Sequence, residues 1–244
     1  LKEGNIECNV IDNREIANNI YKITLRGHVL GNPGQFYMVR AWNGLDPFLS
    51  RPLSISDIQD KQISFVYELR GKGTKELASI KTEELVQLTG PLGNGFTVNE
   101  NLKSAVVSGG IGIAPMIYLL KKYHKNMDMY AGFRAEPYLI DECLAHSNNL
   151  YIASEEGLGW HKGLVTELIN VDDYDVIYAC GPEPMLKAIA KMAQNKTMLY
   201  VSMENYMACG IGSCLGCTIQ TRDGMKRVCK DGPVFDAKEV YFYE

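Results

Sequence analysis

Four of the chain's seven cysteines crowd into one stretch near its end, CGIGSCLGCTIQTRDGMKRVC, at Cys209, Cys214, Cys217 and Cys229. The spacing is C-x4-C-x2-C with a fourth cysteine after a short excursion, the plant-type ligand pattern for a [2Fe–2S] cluster. Each iron of such a cluster is tetrahedral and takes two thiolates besides the bridging sulfides. One tight loop can supply three sulfurs, and the fourth must return from elsewhere. Gly210, Gly212 and Gly216 provide that loop, because glycine accepts unusual backbone angles and leaves N–H groups free to point at sulfur. Two other readings compete. Structural zinc favours separated cysteine pairs or mixed Cys/His ligands, and the segment has neither a second C-x2-C nor a histidine. Disulfides need an oxidising compartment, and nothing in the sequence marks export.

Elements elsewhere must position this loop. At 244 residues the chain exceeds the usual single-domain size, and 46% apolar residues are enough for real cores. A net charge of −4 argues against a general nucleic-acid binder. The longest apolar run, Ala105 to Leu120, holds Gly109, Gly110, Gly112 and Pro115, so it is no membrane span. The opening LKEGNIECNV lacks an apolar export segment. The expectation is a soluble cytoplasmic protein whose cysteines serve metal or redox chemistry.

Up to about residue 99 the pattern is of short strands. Tyr21, Ile23 and Leu25 alternate with polar neighbours, as do Ile63, Phe65 and Tyr67, and Val86 with Leu88. Glycine, proline and asparagine turns separate them, which predicts a small antiparallel barrel. A short helix is predicted over Thr74 to Ser79 with Thr74 as its N-cap. Two pieces there suit a phosphate. Gly71-Lys72-Gly73-Thr74 leads into a helix N-terminus, and Arg51 of Arg51-Pro52-Leu53-Ser54 can add charge-assisted hydrogen bonds. Either alone reads equally as a loop or a turn.

From about residue 100 strands alternate with helices, which predicts a parallel sheet covered on both faces. Strands are expected at Ser104–Ser108, Met127–Gly132, Leu150–Ser154, Val176–Cys180 and Leu199–Met203. One helix should bury Ile113, Met116, Ile117 and Leu120, and another, Pro184 to Gln194, should turn Met185, Ile189 and Met192 inward. Ligands bind such sheets at the carboxyl ends of strands. GGIGIAP, with Gly109, Gly110 and Gly112, can let backbone approach a pyrophosphate, and CGPEPM puts Cys180 and Gly181 where a nicotinamide could lie. Cys180 reads equally as a small buried apolar residue. Glu155 and Glu156 follow another strand end, where carboxylates would accept from ribose hydroxyls and repel a 2′-phosphate; either reads equally as a solvated loop charge.

Taken in order, RPLS, the G-K-G-T loop, GPLGNGF at Gly90–Phe96, GGIGIAP and CGPEPM resemble the ferredoxin–NADP reductase-like flavoenzymes. The C-terminal MACGIGSCLGC…VCKDGPVF, Met207 to Phe235, is narrower and resembles the electron-transfer subunits of B-type, NAD-linked dihydroorotate dehydrogenases. The resemblance covers essentially the whole chain. It implies a β plus α/β fold: an antiparallel FAD-binding barrel (1–99), a parallel-sheet NAD-binding domain (100–202) and a small [2Fe–2S] domain (203–244). By the same resemblance, Arg51, Pro52, Leu53 and Ser54 contact FAD, with Val66, Tyr67, Glu68, Gly73 and Thr74 completing the site. Glu68 departs from the pattern, since relatives often carry arginine there; here the arginine is Arg70. Ser154-Glu155-Glu156-Gly157 also departs from an expected Thr-Asp-Asp/Glu-Gly.

The implied function is electron transfer in pyrimidine biosynthesis. An FMN-containing catalytic subunit oxidises dihydroorotate, and the electrons reach NAD⁺ by way of the cluster and FAD, in a heterotetramer with two subunits of each kind. No acid–base side chain is needed for hydride transfer, and none of the four histidines stands in a catalytic constellation. The alternatives are a related NAD(P)H:acceptor reductase serving ferredoxin or sulfur compounds, or a non-enzymatic iron–sulfur redox sensor. Some of those reductases replace the first cluster cysteine with aspartate, so Cys209 favours the dihydroorotate reading. The dinucleotide loops argue against the sensor.

Overall fold

The computed structural model describes residues 4–123, 127–194 and 196–242; residues 1–3 of the opening stretch lie outside these. The first strand is the longest, β1 (Gly4–Ala17), and the sequence reading missed it because its apolar positions are interrupted by Asn9, Asp12 and Asn13. It spans two neighbours. Its first half pairs with β6 (Leu85–Leu92) and its second with β2 (Ile20–Arg26), with register shifts between Val10 and Asp12 and between Glu15 and Ala17. Such bulges bend a strand. With β3 (Phe36–Arg40), β4 (Arg51–Gln59) and β5 (Gln62–Glu68) these strands close a barrel in the order β1-β2-β5-β4-β3-β6.

The barrel's alternation is only partly that of a water-facing sheet. Ile63, Phe65 and Tyr67 enter the barrel core as expected, yet Ser64 and Val66 between them are buried too. Val66 packs into a second core shared with the α/β part of the chain, and the Ser64 hydroxyl bonds Thr24 at 2.9 Å. Pro52 lies inside β4 rather than in a turn. It pairs only with β3, because β5 begins its pairing with β4 at Ile55, so no ladder hydrogen bond is lost on that side.

The predicted helix exists as α1 (Lys72–Ser79), but it starts two residues earlier and its N-cap is Gly71, not Thr74. Thr74 sits at the third helical position. Its hydroxyl accepts from the N–H groups of Arg70 and Gly71 at 3.0 and 3.2 Å and donates to the Gly71 carbonyl at 3.0 Å. The threonine therefore reaches back to shape the entry rather than capping from outside.

The second part is a seven-stranded sheet. Its parallel strands are β7 (Ser104–Gly109), β8 (Met127–Phe133), β9 (Leu150–Ser154), the short β10 (His161–Lys162), β11 (Val176–Cys180) and β12 (Met198–Ser202). Helices α2 (Ile113–Lys122), α3 (Ile140–His146) and α4 (Glu183–Ala193) connect and cover them. In α4 the inward stripe is Leu186, Ile189 and Ala193; Met185 is half-buried and Met192 is 37% exposed. The helix is rotated from the predicted face by about one position, because the 3.6-residue period fits 186, 189 and 193 as well as 185, 189 and 192.

The last part is a hairpin, β13 (Thr218–Thr221) with β14 (Gly224–Arg227), followed by β15 (Val234–Asp236). The final strand pairs antiparallel with β12 and completes the edge of the sheet, giving the order β10-β9-β8-β7-β11-β12-β15.

Helix α2 joins barrel to sheet. Ile113 to Leu120 are all buried, because one side of the helix faces β7 and the other faces β4. Tyr118 donates to the Gly31 carbonyl at 3.0 Å. Beside it a chain of charges crosses the seam: Lys22 to Glu142, Glu142 to Lys121, and Lys121 to Asp57, each at 2.7 Å. Burial pushes the Glu142 carboxyl up, but hydrogen bonds from Lys121 and Lys22 outweigh it and hold the group below the usual carboxylate range. A depressed folded-state pKa means stability that is present above the unfolded value near 4.5 and is lost as pH falls through the folded one. Glu142→Ala is therefore expected to lower stability in urea by about 1–3 kcal/mol at neutral pH. The deficit should fade in acid, which parallel urea titrations at falling pH will check.

Candidate functional site

The cysteine loop begins after β12. Gly210 and Gly212 adopt left-handed φ of 72° and 83°, while the third left-handed position is Leu215 at 60° rather than Gly216. The tight turn thus falls one residue before the place the glycine pattern indicated. The excursion to the fourth cysteine is the β13–β14 hairpin, which returns the chain so that the Val228 N–H donates to the Cys217 carbonyl at 3.1 Å.

The four sulfurs fall into two pairs. Cys209 is hydrogen-bonded to Cys214, and Cys217 to Cys229. Cys214 is exposed, whereas Cys217 and Cys229 are each 2% exposed and belong to a core shared with Met38 and Leu92 of the barrel. Backbone N–H groups aim at sulfur: Gly212 at Cys229 (3.1 Å), Cys214 at Cys209 (3.4 Å) and Cys229 at Cys217 (3.4 Å). Burial pushes the Cys209 thiol up, but N–H groups of Cys214, Ile211 and Ser213 outweigh it and bring it down to about 6. Burial and the Cys217 sulfur push Cys229 up to about 12.

Four free thiols gathered this way fit a bound metal cluster. The N–H donors stabilise sulfur that carries negative charge, and a bound cation would offset the burial and the neighbouring sulfur that push the Cys229 thiol up. Among the described residues no three His, Cys, Asp or Glu side chains converge as a single metal ion requires.

The loop is seated on the barrel. A Cβ at Gly210 would lie 2.6 Å from Met38 Cγ. The GPLGNGF stretch grips the turn after Cys229: the Asn94 N–H donates to the Gly232 carbonyl at 2.6 Å, and its side chain donates to the carbonyls of Lys230 and Asp231 at 3.3 and 3.1 Å.

On the barrel, Arg51 and Gly73 form one corner. The Arg51 guanidinium lies over the first turn of α1, where a Cβ at Gly73 would sit 2.6 Å from Arg51 Nε. Its other face stacks on Trp42, 5.6 Å from the ring centre, with Arg40 at 5.3 Å from the same ring. The first N–H groups of α1 have no intrahelical acceptor, so cation and helix end together fit a phosphate. The other nominees separate. Pro52 and Ser54 are half-buried, alternating along β4 with the buried Leu53, which points into the barrel core. Tyr67 is 1% exposed, its hydroxyl bonded to Asn13 at 3.1 Å, so only its backbone is free for a ligand. The Thr74 hydroxyl is engaged in the cap described above. Val66 lies in the core between barrel and sheet.

Glu68 and Arg70 are elsewhere. Arg70 Nε pairs with Glu68 Oε2 at 2.7 Å, and both line a cleft of about 480 Å³ between the barrel and the carboxyl ends of the sheet strands. Its walls do not include Arg51 or Gly73, so Arg70 does not stand in at the Arg51 corner.

The cleft opens where strand order reverses, between β7 and β11. Gly109, Gly110, Gly112 and Gly181 form its floor. These two loops interlock backbone to backbone. A Cβ at Gly112 would lie 2.4 Å from the Cys180 carbonyl oxygen, and one at Gly181 would lie 2.8 Å from the Gly109 nitrogen. At Gly110, φ 54°, an added Cβ would meet nothing within 4 Å; the space above it belongs to the cleft and suits an approaching pyrophosphate. Cys180 sits behind the wall, 1% exposed, its thiol driven far up by burial. Glu155 and Glu156 are exposed beyond β9 and line no part of the cleft.

The sequence reading missed Arg134 and Glu204, which line the cleft just after β8 and β12. The strand-end rule, applied to every strand, would have found both. Burial pushes the Glu204 carboxyl up, with Arg70 pulling the other way.

Residues 204–241 match the family described as the iron–sulfur cluster binding domain of dihydroorotate dehydrogenase B. The chain is 44% identical over 243 residues to the dihydroorotate dehydrogenase B (NAD(+)) electron transfer subunit of Clostridium acetobutylicum, covering 98% of each chain. It is 42% identical to the Clostridium perfringens subunit of the same name, covering 96% of each. A solved NADH-dependent reduced ferredoxin-NADP oxidoreductase, described for flavin-based electron bifurcation, superposes with a TM-score of 0.84 at 25% identity over 96% of this chain and 90% of its own. With that identity sustained from end to end, the chain belongs to the family of dihydroorotate dehydrogenase B (NAD(+)) electron transfer subunits.

Proposed function

We propose that this chain carries the electrons released from dihydroorotate on a catalytic partner subunit to NAD⁺, within pyrimidine biosynthesis. The observation that carries the proposal is the seating of the four-cysteine loop on a barrel whose other side borders a dinucleotide-type cleft. Of the groups implied, a [2Fe–2S] cluster would supply single-electron transfer, and FAD would convert two single electrons into one hydride.

The chain's own residues bind and orient. Cys209, Cys214, Cys217 and Cys229 hold the cluster. Arg51, Gly73 and the α1 N-terminus take the FAD pyrophosphate, Pro52 and Ser54 offer side chains to the flavin, and Leu53, Tyr67 and Thr74 contribute backbone. Val66 seals the seam behind the flavin. Gly109, Gly110, Gly112 and Gly181 take the NAD pyrophosphate and nicotinamide ribose, with Cys180 as buried support and Glu68 on the opposite wall. The units run over residues 1–99, 100–202 and 203–244, the last tied by β15 to the middle one. The partner is FMN-containing, the assembly is a heterotetramer with two subunits of each kind, and the setting is cytoplasmic. In support of a soluble assembly, no helix among the described residues is long and apolar enough to cross a membrane. The partner meets this chain where Cys214 is exposed among Tyr206, Ile211 and Leu215, which are 94%, 45% and 60% exposed.

A second reading, reduction of ferredoxin or a sulfur compound, draws on the structural likeness to the ferredoxin-linked oxidoreductase. Co-expression with an FMN-containing catalytic subunit, anaerobic purification and an assay of NAD⁺ reduction by dihydroorotate separates the two. Activity that needs both chains supports the proposal; a folded, flavin-loaded chain that forms no complex favours the second reading.

Cys214→Ser is expected to abolish the cluster signal and dihydroorotate-driven NAD⁺ reduction while sparing NADH-to-dye reduction. Persistence of the full reaction without cluster would refute the assignment. Gly112→Ala places a methyl group 2.4 Å from the Cys180 carbonyl. It should depress NADH-to-dye reduction by roughly 100-fold with bound flavin and iron unchanged, as absorbance and metal analysis will show.

A further inference from the structure

We infer that the ion pair between Arg227 and Asp231 sets the reduction potential of the iron–sulfur centre, the arginine favouring the reduced state and the aspartate opposing it. The inference rests on the cluster reading above and adds two residues that are not ligands.

Arg227 closes β14, just ahead of Cys229. Its fork is engaged on two sides. Nε and Nη2 donate to the two oxygens of Asp231 at 3.0 and 3.1 Å, and its backbone N–H donates to Asp231 Oδ2 at 2.7 Å. Nη1 donates to the Gly212 carbonyl at 3.2 Å. That same glycine points its N–H at Cys229 Sγ at 3.1 Å. The guanidinium is therefore one residue removed from a ligand sulfur, and it orients the residue between them.

The guanidinium is the part of the pair that reaches the sulfur loop: its Nη1 meets the Gly212 carbonyl, and it feels the charge of Cys229 and Cys217. The turn that carries both residues is itself tied down. The N–H groups of Lys230 and Asp231 both fold onto the Arg227 carbonyl, at 3.1 and 2.8 Å, and Asn94 of the barrel holds the turn from outside.

Reduction adds one negative charge to a site that four thiolates already make negative. A fixed cation nearby lowers the energy of the reduced form more than that of the oxidised form, and a fixed anion does the reverse. Because both charges are in place beforehand, no reorganisation is spent when the electron arrives. The two side chains are 35% and 31% exposed, so water weakens these fields without removing them.

The test is potentiometric titration of the flavin-loaded chain, followed by electron paramagnetic resonance of the reduced cluster, for wild type, Arg227→Met, Arg227→Lys and Asp231→Asn. Iron and sulfide are counted in each. Arg227→Met should titrate at lower potential than wild type and Asp231→Asn at higher potential, with Arg227→Lys closer to wild type than Arg227→Met. Opposite shifts from the two halves of one bond are the signature of charge; a purely structural pair would move both variants alike. Shifts of the same sign, or none, with iron and sulfide retained would overturn the inference. If Arg227→Met fails to hold iron, Asp231→Asn and Arg227→Lys decide on the same criteria. Wild type without iron and sulfide would bring down the cluster reading itself, and this inference with it.

Discussion

Everything else in the molecule depends on the burial of α2. A helix covering a sheet ordinarily keeps one face in water, yet Ile113 to Leu120 are all buried. The sheet takes one side and the barrel the other, so the two halves share a core rather than touching at surfaces. The charges of Lys22, Glu142, Lys121 and Asp57 then close the rim of that seam. Two cofactors that must exchange hydride need a fixed separation, and a helix packed on both sides fixes it without a hinge.

The same economy appears at the contacts between loops. GGIGIAP and CGPEPM look like two motifs, but Gly112 against Cys180 and Gly181 against Gly109 make them one backbone surface. The cysteine loop meets the barrel in the same manner, through Gly210 on Met38. Close approach of backbones leaves N–H groups available and excludes side chains that would hold cofactors apart.

How much of this could be read beforehand divides along physical lines. The cysteine spacing was legible because a cluster imposes its own geometry on a short stretch. The parallel strands were legible because burial on both faces leaves continuous apolar runs, as in Val176–Cys180, which is buried throughout; that strand and the partly exposed Leu150–Ser154 emerged with their limits intact. The barrel was predicted as a class but not strand by strand. Its longest strand carries polar residues at the bulges, and Ser64 and Val66 are buried by a neighbour far along the chain. Site residues failed to read wherever direction mattered. Neighbours in sequence, Leu53 and Ser54, point to opposite faces, and Cys180 stands behind the glycine that faces the cleft. The departure at Glu68 left two readings of the pyrophosphate contact, Arg70 or backbone donors, and Arg70 is instead paired with Glu68 in the other cleft.

The outermost strand of the sheet, Val234–Asp236, follows the cysteine hairpin and pairs with β12. Open edges invite pairing with other chains, so the segment that carries Cys209 to Cys229 also delivers the strand that covers this one. A change that unseats the hairpin therefore bares a sheet edge, and damage to the cysteine loop reaches the α/β part of the molecule through β15.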